Sequence, residues 1–164
     1  MLNSSEIDSA AGRGPEKLLA MGIYGETVAA YRYSVLAEKA LIEAHRREFA
    51  DMADEEQGHK QRLQTLLDTH YPDADFVLTP EDKGIVASGT RLIEIRDEAD
   101  YAEAMRMILM TERRTARFYA NHSKHMHQED VRGLFHELAE EGAEHYQRLK
   151  TIARQAGVTE FDEP

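Results

Sequence analysis

Apolar residues recur at a helical period over four stretches of the chain. The first begins at Pro15, a residue suited to the first turn of a helix, and sets Leu19, Ile23, Ala30, Tyr33 and Ala37 on one face. The second runs to about His70, carries Phe49, Met52, Ala53, Leu63, Leu66 and Leu67, and is ended by Tyr71-Pro72. The third spans Asp97 to His125, with Asp97 or Asp100 as N-cap and Met105, Ile108, Leu109, Ala116 and Tyr119 on its face. The fourth runs from about Val131 to Gln155, with Val131, Leu134, Phe135, Leu138, Leu149 and Ile152 aligned and Gly157 as its stop. Connections near 39–45 and 123–130 are short and join the helices in pairs. Between the pairs, residues 73–96 hold Pro80, Gly84, Gly89 and only brief apolar runs. So long a loop wants a topological reason, and a crossover between the halves of a four-helix bundle supplies one. The pattern predicts an all-α bundle of two helical hairpins over 15–157, with a flexible segment 1–14 before it and a short acidic tail 158–164 after it.

Each apolar stripe is interrupted by a group that is costly to bury. Glu26 interrupts the first, Glu112 the third, and His145 the fourth. In the second, Glu56 stands three residues before His59, so a carboxylate and an imidazole share one helix face about a turn apart. The two halves superimpose without a gap at an offset of 86 residues, which places Glu26 on Glu112, Tyr33 on Tyr119, Phe49 on Phe135, Glu55 on Glu141 and His59 on His145. A repeated hairpin brings these groups toward the axis of the bundle. The repeat breaks at one position, where Glu56 falls on Gly142.

A Glu on the first helix, Glu-x-x-His on the second, and a repeat of both after a crossover resembles the ferritin-like superfamily, and within it the rubrerythrin-type proteins. The residues that carry the likeness are Glu26 with Tyr31 and Tyr33, FADMADEEQGH, ERRTARFY and LFHELAEEGAEH, and it covers roughly 15–155. It implies a ferritin-like fold and a non-haem di-iron centre that reacts with dioxygen or peroxide. It implies metal ligation by Glu26, Glu56, His59, Glu112 and His145, with two irons per chain and zinc or manganese as alternative occupants. Three readings stand for the gap at Gly142. Glu141, one turn before His145, swings inward, and is the preferred ligand; Glu141 and Glu144 form a Glu-x-x-Glu before His145, although Glu144 lies about 100° around the helix from His145; or one metal position is lost. In these readings Glu56 bridges together with Glu112 or Glu141, and the histidines are terminal. By analogy the assembly is a homodimer, served by an external electron donor of unknown identity.

Composition narrows the functions. The chain has no cysteine, which excludes thiolate metal sites and the rubredoxin-like electron-transfer module of rubrerythrins proper. Thr115 stands where those proteins carry an extra glutamate one turn after the third-helix ligand. Lys plus Arg number 20 against 31 Asp plus Glu, a net charge of −11 that argues against nucleic acid as a partner and suits a protein handling cations. No apolar run is long enough to span a bilayer and the N-terminus has no apolar signal region, so the default location is the cytoplasm. Tyr33 and Tyr119 read as core packing rather than redox relays, and His122, His125 and His127 as solvated histidines rather than a surface metal site. The leading function is redox chemistry of iron with peroxide or dioxygen, in peroxide detoxification or ferrous oxidation. The rivals are a di-iron hydroxylase of an organic substrate and a non-enzymatic bundle holding zinc, a single iron or no metal.

Overall fold

The computed structural model describes residues 13–87, 89 and 93–158; the expectations for segment 1–12 and for the tail beyond 158 lie outside these. Among the described residues there are five helices and no strand: α1 Pro15–Lys39, α2 Glu43–His70, α3 Pro80–Val86, α4 Glu98–Ser123 and α5 Glu129–Gln155. The four long helices are those the apolar periodicity predicts, in the all-α bundle it predicts. α1 packs along α2 and α4 along α5, the two hairpins expected from the short connections. Asp97 caps α4, its carboxylate accepting from the Asp100 backbone N–H at 2.8 Å. α5 begins at Glu129, two residues earlier than expected, with Glu129 and Asp130 set against the positive end of its dipole.

The crossover holds a helix that periodicity does not reveal. Seven residues are too few to display an apolar period, and α3 is instead specified by its cap. Thr79 Oγ1 accepts from Asp82 N at 3.1 Å, and the Asp82 carboxylate accepts from Thr79 N at 2.8 Å, a reciprocal capping box. Asp82 also receives Arg13 at 2.6 Å and Lys17 at 3.1 Å, which ties the crossover to the start of α1. Burial works against the Asp82 carboxylate, but hydrogen bonds from Thr79, Arg13 and Lys17 outweigh it and hold its pKa well below the usual range. α3 lies close on α1 at Gly25, where a Cβ would stand 3.2 Å from Val86 Cβ.

The core is divided in two. At one end Tyr33, Leu36, Phe49, Met52, Met105, Leu109, Leu149 and Ile152 pack together; at the other, Leu19, Met21, Leu63, Phe118, Tyr119, Val131, Phe135 and Leu138. Each long helix passes from one cluster to the other, and its interrupting polar residue lies at the passage. The apolar clusters therefore fix the height of a polar layer across the bundle. No described helix is long and apolar enough to cross a membrane.

Candidate metal centre

The polar layer brings together Glu26 from α1, Glu56 and His59 from α2, Glu112 from α4 and His145 from α5. All five are buried, with exposures of 3 to 8%. They form two sets of three, Glu26–Glu56–His59 and Glu56–Glu112–His145, and within each set the donor atoms lie within 4.8 Å of one another. Glu56 belongs to both. Its Oε2 lies 3.6 Å from His59 Nδ1 and its Oε1 lies 2.8 Å from His145 Nδ1. Glu26 Oε2 is 3.6 Å from His59 Nδ1, and Glu112 Oε1 is 3.6 Å from His145 Nδ1. Both imidazoles thus turn Nδ1 inward, with one carboxylate between them.

The outer nitrogens have partners from the opposite hairpin. His145 Nε2 donates to Glu55 at 2.5 Å, and His59 Nε2 donates to Glu141. Glu55 and Glu141 correspond at the 86-residue offset, as do the arginines beside them. Arg148 lies 3.3 Å from Glu55, and Arg62 pairs at 2.7 Å with Glu137, one turn before Glu141. The tyrosines cross in the same way. Tyr119 O–H donates to Glu26 at 2.7 Å, and Tyr33 O–H donates to Glu112. Both tyrosines are fully enclosed, and burial followed by the nearby carboxylates pushes their pKa values well above the ordinary one, so they remain protonated donors. Reading them as core packing was incomplete. Their signal in the sequence is a spacing of seven from Glu26 and from Glu112, two turns along the same face.

Without a metal the layer is held by protons. Burial, then the charge of Glu56, pushes Glu26 up to about 8. Burial works against the ionised form of Glu56 as well, but hydrogen bonds from Glu26, His145 and His59 bring its pKa below the ordinary value. Burial also disfavours the imidazolium forms, but hydrogen bonds to Glu26 and Glu56 raise His59 to about 10, and those to Glu112 and Glu56 raise His145 to about 11. A shared carboxylate flanked on each side by a carboxylate and an Nδ1 is a donor set that fits a pair of oxygen- and nitrogen-preferring cations.

Glu141 lies outside both sets of three, on the far nitrogen of His59, and Glu144 is exposed. Gly142, opposite Glu56 in the repeat, is buried where α5 meets α4: a Cβ there would stand 3.1 Å from Ala116 Cβ. The break in the repeat is thus where the two helices approach closely, and it leaves the shared position to Glu56 alone. Among the donors themselves, and bounded also by Thr111, Thr115, Ala116 and Gly142, is a space of about 10 Å³, room for roughly one water. Among the described residues His122, His125 and His127 form no comparable donor set, and His122 is buried rather than solvated.

A helical bundle with this repeat is of ferritin-like class, and comparison with known proteins refines it. The sequence profile of the Rubrerythrin family matches residues 17–153, and the chain belongs to that family. Among solved structures, the hypothetical protein Pfu-1136390-001 from Pyrococcus furiosus is similar, with a TM-score of 0.80 and 27% identity over 92% of this chain and 94% of that one. No curated protein matches the chain.

Proposed function

We propose that this chain is a di-iron protein whose centre carries out redox chemistry with peroxide or dioxygen. The observation that carries the reading is the shared carboxylate: Glu56 stands in both buried donor sets, each completed by one glutamate and one histidine Nδ1. Glu26 and His59 would hold one ion, Glu112 and His145 the other, and Glu56 both. A pair of ferrous ions held there would supply the two electrons that cleavage of a peroxide bond consumes. The protein's part is to place the donors, exclude bulk water through the two apolar clusters, and keep the carboxylates directed by Tyr33 and Tyr119.

Metal analysis of protein purified without added metal tests the proposal. About two irons per chain, with ferrous protein oxidising faster in peroxide or oxygen than free ferrous ion does, is the expected result. A single zinc, or no metal after reconstitution with iron, would sink it.

Glu55 and Glu141 have a distinct role in this reading. Each fixes the tautomer and ring orientation of the opposite hairpin's histidine, so that Nδ1 presents its lone pair inward. Replacing either by glutamine is expected to weaken metal binding by roughly 10- to 100-fold while leaving the two-ion stoichiometry attainable at high metal. Chelator-competition titration measures this. If Glu141→Gln instead removes one ion outright, Glu141 is a ligand and not an orienting residue.

A further inference from the structure

At the end of the bundle away from the Tyr33 cluster, a pocket of about 560 Å³ opens between the start of α1, the end of α4 and the first turns of α5. Among the described residues its charged lining is basic. Arg13, Lys124 and Arg132 contribute to it together with His122, His125 and His127, and no lining residue among those described is acidic, on a chain whose net charge is −11. Arg13 is set in place by Asp82 at 2.6 Å, which stands behind the lining. Among the described residues Lys124, His125 and His127 make no ion pair, and the Arg132 guanidinium donates a long hydrogen bond, 3.4 Å, to Met126 O. The floor includes Leu18 and Met126, both buried.

A second observation points to a ligand. His122 is 3% exposed, and its Nδ1 is buried without a hydrogen-bond partner among the described residues. The ring packs on Phe118 at 5.1 Å between centroids, which fixes it in this position. Burial, then the charges of His125 and Arg13, lowers its pKa to about 4, so the ring is neutral near neutral pH. The ring lines this basic, apolar-floored cavity, and with a proton on Nδ1 it would offer an anionic ligand a donor that no described residue takes.

We propose that this pocket binds a small organic phosphate, its phosphate group held by Lys124, Arg132 and His122 and its apolar body lying on Leu18 and Met126. A bare phosphate would leave most of such a cavity empty, whereas 300–1,000 Å³ is the usual range, roughly, for organic ligands. Ten residues of α4 separate Glu112 from His122, roughly 15 Å along the helix, so the ligand is not a substrate presented to the metals.

The test uses the full chain with three probes: phenyl phosphate, inorganic phosphate and uncharged benzyl alcohol. Binding is followed by calorimetry and by the ring resonances of His122. Phenyl phosphate is expected to bind at least about tenfold more tightly than either of the other two and to shift the His122 resonances. The double variant Lys124→Glu, Arg132→Glu, both at exposed positions, should weaken it by about tenfold or more with helicity unchanged. Equal affinity for phenyl phosphate and inorganic phosphate, unshifted His122 resonances, or undiminished binding by the double variant would each overturn the proposal. Because the readout is independent of metal content, its failure is separable from failure of the di-iron reading.

Discussion

On the proposed di-iron reading, Glu56→Gln is expected to lower bound metal from two ions per chain to one or none, because Glu56 stands in both donor sets. The substitution keeps the side chain's size, so helicity should persist while the shared negative charge is removed. Both donor sets lose a member at once, which no other single substitution in the layer achieves. Elemental analysis after reconstitution with ferrous iron, with loss of the ferric absorption of a bridged pair, reads the result. Glu144→Ala is the matched control: its carboxylate is exposed and lies outside both donor sets, so two ions should remain. Retention of both ions in Glu56→Gln, or loss of them in Glu144→Ala, would reverse the assignment of the shared position.

The contrast between those two variants shows what the sequence makes legible. Glu26, Glu56, His59, Glu112 and His145 can be found from the chain alone because each interrupts an apolar stripe and, Glu56 apart, recurs at a fixed offset. Periodicity specifies which face of a helix a residue occupies. It does not specify which helix that face meets. The exchange of Glu55 and Glu141 between hairpins, and of Tyr33 and Tyr119, was therefore beyond reach. Both pairs were visible as matches across the repeat, but their partners depend on how the hairpins dock. The short helix α3 was missed for another reason: its specification resides in the Thr79–Asp82 cap, a local signal inside a segment read for its length. Gly142 was legible as a departure from the pattern. Its reason was not, because the neighbour that limits it, Ala116, belongs to another helix.

Metal affinity is expected to fall steeply in acid, because the ions and protons compete for the same lone pairs. With Glu26 at about 8, His59 at about 10 and His145 at about 11, up to three protons occupy the metal-free donors at neutral pH and must leave on loading. The combined affinity for two ions should then change by about three decades per pH unit near neutrality, and by about two once Glu26 is ionised above its pKa. The stability of the metal-free fold runs in the opposite direction. All three pKa values are raised by folding, so the folded state holds protons that the unfolded chain releases. The contribution of the histidines is complete below 6.5 and is lost as pH rises through about 10 and 11; that of Glu26 is complete below 4.5 and is lost through about 8. The metal-free protein should therefore weaken through these groups as the solution becomes alkaline, where the metal binds most tightly. The rise in melting temperature on adding metal should grow with pH accordingly. Calorimetric titration in two buffers of different ionisation enthalpy counts the protons released, and thermal melts across roughly pH 6 to 9 follow the stabilisation. Binding that releases no protons over that range would mean that these buried groups do not ligate the ions.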